Sequence, residues 1–149
     1  MSVTNTPLRL KNYFFPVVQV VANPKYSETD ECGELEFMIH PSVKKNEENG
    51  LYQVSVDITL LPEDDEIQIP YSIHLVAFGF FEVHPEWPEP KKLLFINGST
   101  ILYASAREYL ITVSSRGPWG CVTLPMISFN EMYKEAVQEN NSAINHPEK

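Results

Sequence analysis

Apolar side chains recur every second position over most of residues 8–83, and every third or fourth position after residue 99. The first spacing is that of β-strands, whose side chains alternate between two faces, and the second is that of α-helices. Residues 8–22 include KNYFFPVVQVV, with Tyr13, Phe15, Val17 and Val21 on one face and Phe14, Val18 and Val20 on the other. Pro16 has no N–H to give a ladder, so this strand lies at an edge or carries a bulge. Glu34–His40 alternates Leu35, Phe37 and Ile39 against Glu34, Glu36 and Met38. Leu51–Leu61 sets Tyr52, Val54, Val56, Ile58 and Leu60 against Gln53, Ser55, Asp57 and Thr59. Ile67–Val83 is unlike the others, being apolar on both faces: Leu75, Ala77, Phe81 and Val83 point one way, Val76, Phe78 and Phe80 the other. Turn-rich links at 23–33, 44–50 and 62–66 join these strands and predict an antiparallel meander or a related sheet.

HPEWPEP at 84–90 is broken by proline and predicts irregular chain. KKLLFIN follows with one or two helical turns, and Gly98 or Ser99 is placed to cap a long helix. Leu102, Ala106, Tyr109, Leu110 and Val113 form its apolar stripe, and Gly117 with Pro118 ends it. A loop, PWGCVTLPM, leads to a second, short helix near Ser128–Glu139, with Ser128 as cap and Glu131 at the capping-box position. Strands first and helices last is an α+β order. The expected fold is a four-stranded antiparallel sheet followed by a long and a short helix packed on one face. Residues 1–149 read as a single domain, with a frayed tail over 138–149. Helices on one face account for Leu75 and Phe81 and leave the face of Phe78 and Phe80 open.

The 149 residues carry 11 Lys+Arg against 20 Asp+Glu, a net charge of −9. That balance argues against nucleic acid and against anionic membrane surfaces, both of which need basic protein. No apolar run approaches the ~18 residues of a membrane span. The opening MSVTNTPLRL lacks a charged-then-apolar leader pattern, so a cytoplasmic protein with reduced Cys32 and Cys121 is expected.

Catalytic patterns are missing from the sequence. His40, His74, His84 and His146 stand at no metal-ligand spacing with one another or with cysteine. Ser114-Ser115-Arg116-Gly117 is not the Gly-x-Ser-x-Gly of a nucleophile elbow. Arg107-Glu108 reads as a structural ion pair, and the acidic turn at 62–66 lacks calcium-loop spacing. The expectation is a protein that is not an enzyme and takes no metal or cofactor.

The helical end carries a more specific signal. ILYASAREYLITVSSRGPWGCVTLPMISFNEMY at 101–133 resembles the SecB family of protein-export chaperones. Ile101, Leu102, Ala106, Arg107 and Glu108 match the start of that family's long helix, and Ser115, Arg116 and Gly117 match its end. Trp119 stands at the loop aromatic, Leu124 and Phe129 match the opening of the last helix, and Gly79 and Phe81 match a Gly-x-Phe closing the last strand. The likeness runs from about Leu51 to Val137. Ala104-Ser105, Trp119-Gly120 and the place of Pro125 depart from the family pattern.

The resemblance implies a holdase that binds unfolded polypeptides, preproteins for export among them, through apolar grooves and without ATP. It implies a homotetramer, a dimer of dimers, with long helices packed between two sheets; Leu102, Tyr109, Leu110 and Val113 are the candidates for that contact. It also implies the motor SecA as a partner. Two departures speak against SecA: His74 replaces a Glu of the acidic sheet face on which SecA docks, and the final residues have no counterpart of the family's metal-binding tail. Part of the family chaperones antitoxins instead. A surface for clients that share no sequence must be apolar and adaptable, which Met and aromatic side chains supply. The candidate client-binding residues are therefore Val76, Phe78 and Phe80 on the open strand face, and Trp119, Val122, Leu124, Met126, Met132 and Tyr133 on the loop and last helix. The competing readings are a module dedicated to one partner, such as an antitoxin or a phage or host protein, and an enzyme or small-ligand binder that uses the apolar groove as a pocket. The last would need a convergent polar cluster, which the sequence does not supply.

Overall fold

The computed structural model describes residues 6–27, 35–62 and 68–145. Cys32, the carboxylates of the turn at 62–66, the expected strand start at Ile67, and His146 lie outside the described residues.

Among the described residues four strands, β1 (Leu8–Ala22), β2 (Met38–Lys45), β3 (Tyr52–Leu60) and β4 (Tyr71–Val83), form one antiparallel sheet in the order β1-β4-β3-β2. The expected meander therefore covers β2 to β4 only. β1 comes back beside β4, giving a Greek-key order in which β4 is central. The turn between β2 and β3 is shorter than 44–50. Asn46 N–H donates to Leu51 O at 2.8 Å and Gly50 N–H donates to Asn46 O at 2.9 Å. The side-chain carbonyls of Asn46 and Asn49 accept from the N–H groups of Glu48 and Leu51, each at 3.0 Å. β2 thus begins and ends later than Glu34–His40. It is an edge strand, where Pro41 costs no ladder bond and Lys44 and Lys45 are tolerated.

β1 contains two register shifts, between Leu10 and Asn12 and between Phe14 and Val17. The second falls at Pro16, and it inverts the alternation. Tyr13 lies opposite Gly79, Val18 opposite Leu75 and Val20 opposite Ile73, all on the helix-covered face. Phe14 lies opposite Phe78, Val17 opposite Val76 and Val21 opposite Ser72, on the other face. Strict alternation groups Tyr13 with Val17; the extra residue of the bulge separates them.

The core sits between the sheet and the helices. Val54, Val56, Ile58, Leu75, Ala77 and Phe81 are fully enclosed, with Leu94, Leu102 and Ala106 from the helical side. Each such side chain of Val, Leu, Ile or Phe size contributes roughly 1.5–3 kcal/mol. Gly79 allows the close approach: a Cβ there would stand 2.9 Å from the Phe81 ring and 3.0 Å from Leu102 Cδ2. That is a physical reason for glycine two positions before Phe81.

The long helix starts earlier than the sequence suggests. Helix α1 (Pro90–Leu93) runs through a π-helical turn (Leu94–Gly98) into α2 (Ser99–Ser114). Pro90 stands at the helix start, where its missing N–H has no helical acceptor to lose. Gly98 and Ser99 are not caps but right-handed helical residues inside the run. The buried line of α2 is Ser99, Leu102, Tyr103, Ala106, Leu110 and Ser114. Tyr109 and Val113 lie about 100° round from Leu110 and Ser114, toward β1. Helix α3 (Phe129–Asn145) is longer than expected and includes residues 138–145, which the sequence reads as frayed. Its start is as expected: the Ser128 hydroxyl accepts from Glu131 N–H at 3.2 Å. No Arg107–Glu108 ion pair forms among the described residues, because adjacent helical residues diverge.

Candidate functional site

Two apolar surfaces remain once the core is closed. The first is the sheet face that no described helix covers. β4 supplies Val76, Phe78 and Phe80, all half-buried, and the bulged strand β1 adds Phe14, 42% exposed. Phe14 and Phe78 stack with ring centroids 5.4 Å apart, Phe78 and Phe80 meet edge-on at 5.3 Å, and Phe14 to Phe80 is 6.3 Å. Val17, opposite Val76, and the exposed Val21 and Met38 share this face. Three rings at these separations shield one another without being buried, and such pairs are favourable by about 0.5–1.5 kcal/mol beyond the area they cover. Phe14 is a residue that sequence reasoning missed as a member of this cluster. Pro16 was the signal, because a bulge there decides which β1 residues face Phe78.

The same face carries polar groups beside the rings. His74 Nε2 and Asp57 Oδ1 are 3.1 Å apart, and His40 stands opposite Asp57 on β2. His74 thus presents to this face an imidazole bonded to a carboxylate.

The second surface runs along the loop after α2. Here the structure divides the six candidates. Val122 and Leu124 are buried in the core, at 5% and 1% exposure. Trp119 is half-buried and pinned rather than presented. Its indole Nε1–H donates to Asn23 O at 3.0 Å and its backbone N–H donates to Tyr71 Oη at 2.9 Å. The Tyr71 hydroxyl in turn donates to Gly120 O at 3.0 Å, and Tyr26 packs edge-on against the indole. Gly117 makes this knot feasible, because a Cβ there would collide with the Tyr71 ring. Ser114 secures the other end: its buried hydroxyl donates to Leu110 O at 2.7 Å and accepts from Val122 N–H at 2.9 Å. Met126, 88% exposed, is the candidate most fully presented to solvent. Met132 and Tyr133 are half-buried on α3, with Tyr133 edge-on to Phe95 and Lys92 over its ring at 5.7 Å. The loop is held against α2 by Tyr103, whose hydroxyl donates to Pro125 O and whose ring packs edge-on to Phe129. Burial pushes the Tyr103 phenol up to about 12, with the Arg107 charge opposing that shift.

The four residues expected at a subunit contact also divide. Leu102 and Leu110 are spent within the chain's own core. Tyr109, 37% exposed, stacks on Phe15 at 4.8 Å with the ring planes within 6°. Val113 is half-buried. Tyr13, Phe15, Ala104, Ser105, Glu108, Tyr109 and Thr112 line an open trough of about 470 Å³ between β1 and α2. Among the described residues no group of three or more His, Cys, Asp or Glu is placed to hold a metal ion. No described helix is long and apolar enough to cross a membrane.

A Greek-key sheet backed by one long helix, with apolar surface left over on both sides, defines the α+β fold of this chain. The sequence model of the family "Preprotein translocase subunit SecB" matches residues 17–140. The chain belongs to the SecB family. It is 26% identical over 109 residues to the protein-export protein SecB of Wolbachia pipientis subsp. Culex pipiens (strain wPip). That match covers 68% of this chain and 65% of the relative, a little under two thirds of its length. Among solved structures the fold is like that of the Mycobacterium tuberculosis SecB-like chaperone Rv1957, solved in complex with a ChAD peptide from the Rv1956 HigA1 antitoxin. The TM-score is 0.65 at 16% identity, covering 82% of this chain and 91% of that one. A Streptococcus agalactiae protein of unknown function gives a TM-score of 0.51 at 12% identity, over 80% of this chain and 97% of that one.

Proposed function

We propose that this protein is a SecB-like holdase that binds unfolded polypeptides through apolar surface and without ATP. The observation that carries the reading is the ring cluster of Phe14, Phe78 and Phe80, on a sheet face that no described element covers. An exposed apolar cluster of this kind usually marks a contact surface. Val76 extends it. Met126, Met132 and Tyr133 add an adaptable surface on the helical side, where Trp119 positions the loop and Val122 and Leu124 anchor it from below. Several shallow contacts suit clients that share no sequence, since each contributes modestly and the ordering of a flexible client opposes binding.

Assembly into a homotetramer, a dimer of dimers, belongs to the same proposal. Tyr109 and Val113 offer its contact along the trough beside β1, while Leu102 and Leu110 support that contact from inside the subunit. The setting would be the cytoplasm. A dedicated partner is the second reading. It is favoured by the antitoxin peptide bound to the Mycobacterium tuberculosis structural neighbour, and by His74 in place of the acidic dock for SecA.

Suppression of aggregation of a chemically denatured test protein checks the main reading. The Val76→Ser/Phe78→Ser variant is expected to lose most of that activity while melting within a few degrees of the wild type. Full activity in that variant would remove the uncovered sheet face from the site. Competition separates the two readings: many unrelated unfolded proteins displace a client from a general holdase, and few displace the partner of a dedicated one.

A further inference from the structure

The uncovered sheet face does not share the acidic excess of the chain. Acidic residues outnumber basic ones by 20 to 11 in the whole sequence. The four strands nevertheless hold two carboxylates, Asp57 and Glu82, against Arg9, Lys11, Lys44 and Lys45. Strand pairing puts Arg9 opposite Glu82 and Lys44 opposite Gln53 on the uncovered face, while Lys45 lies opposite Tyr52 on the covered side. Both carboxylates are already engaged. Glu82 Oε2 is 3.8 Å from Lys11 Nζ, and Asp57 is bonded to His74 with His40 opposite it. Among the described residues neither Arg9 nor Lys44 has an ion-pair partner. The ring cluster therefore sits between two cations without ion-pair partners, and both carboxylates of the strands on its face are engaged. The exposed Glu36, in phase with Met38, lies at the far end of the sheet from Phe80.

Complementarity selects the occupant of such a face: apolar side chains to cover the rings, and carboxylates to meet the rim. We infer that the uncovered sheet face docks an acidic polypeptide segment bearing apolar side chains, with Phe14, Phe78 and Phe80 under its apolar residues and Arg9 and Lys44 facing its carboxylates. This rests on the reading of that face as a polypeptide-binding surface, and adds the sign of the partner. The arrangement also gives selectivity, because a basic apolar segment would meet Arg9 and Lys44 with like charge.

The test uses two labelled synthetic peptides with one apolar Leu/Phe pattern, the spacer positions being Glu in one and Lys in the other, with binding read by fluorescence anisotropy at near-physiological salt. The chain's net charge of −9 attracts the Lys peptide non-specifically, so a preference for the Glu peptide has to come from a local surface. The expected result is binding of the Glu peptide about tenfold tighter than the Lys peptide. Arg9→Glu/Lys44→Glu reverses that preference, the milder Arg9→Gln/Lys44→Gln pair abolishes it, and Phe78→Ser weakens both peptides. Equal binding, or tighter binding of the Lys peptide, with Phe78→Ser still weakening both, overturns the acidic partner and leaves the polypeptide-binding face standing. Binding of both peptides that is indifferent to Phe78→Ser overturns both.

Discussion

The two faces of β4 are built from similar residues and have different fates. On one, Ile73, Leu75, Ala77 and Phe81 lie under α2 and are enclosed at 1% exposure or less. On the other, Val76, Phe78 and Phe80 lie beside one another, beside β1 and beside the polar Asp57, Ser55 and Gln53 of β3, with no described helix above them. Hydrophobicity alone does not separate them, since three phenylalanines stand within four residues of one strand. The difference lies in what is stacked above. A helix needs a continuous apolar floor, and β3 provides it on one side only, with Tyr52, Val54, Val56, Ile58 and Leu60 against Gln53, Ser55, Asp57 and Thr59. The uncovered rings are thus apolar neighbours in a half-polar sheet, which suits binding better than it suits a core.

Stability measurements break or sharpen this contrast, and the largest effect belongs to the covered face. Phe81→Ala removes a fully enclosed ring and is expected to cost about 3–5 kcal/mol in urea unfolding. Phe78→Ala removes a half-buried ring with one stacked and one edge-on neighbour, and is expected to cost only about 1 kcal/mol. Equal costs would mean that the two faces are both core. Next in size is Gly117→Ala, where the new methyl must displace Tyr71 and with it the anchor of Trp119. The expected loss is about 1–3 kcal/mol, with quenching or a shift of tryptophan fluorescence. An unchanged spectrum and midpoint would show that the loop after α2 is not held by that knot.

The smallest effect is a pH dependence. The Tyr103 phenol titrates near 12 in the folded chain against 10.0 in the unfolded one, so the folded state favours the neutral form. The stabilisation this gives is fully present below pH 10 and is lost as pH rises from there toward 12. Tyr103→Phe should flatten that alkaline decline, and below pH 10 it should cost about 1 kcal/mol for the lost bond to Pro125. An alkaline limb identical to the wild type would place the responsible group elsewhere.

Much of this fold was legible because its signals are local. Alternation in Leu51–Leu61 fixes which side chains of β3 are buried, and Ser128 with Glu131 fixes the start of α3. The long helix was misread at its start for a reason that is also local: Gly98 and Ser99 resemble a cap, yet Pro90 at the first helical position lets the run begin eight residues before Gly98. The candidate site was legible in part. That Val76, Phe78 and Phe80 share one face was readable from period two alone. Val122 and Leu124 were not separable from Met126, because an irregular loop has no period to tell inside from outside.

The sequence by itself determined the elements, the burial pattern of β3 and the family motifs, because each depends on spacing within one segment. Tertiary structure decided what no single segment contains. It placed β1 beside β4, so that Phe14 completed the ring cluster. It used Tyr71 and Asn23 to pin Trp119, and it enclosed Leu102 and Leu110 while leaving Tyr109 at the surface. The physical reason is the bulge at Pro16 and the docking of α2 on Gly79. Both set relations between segments distant in sequence, and periodicity carries no information about which faces those contacts will close.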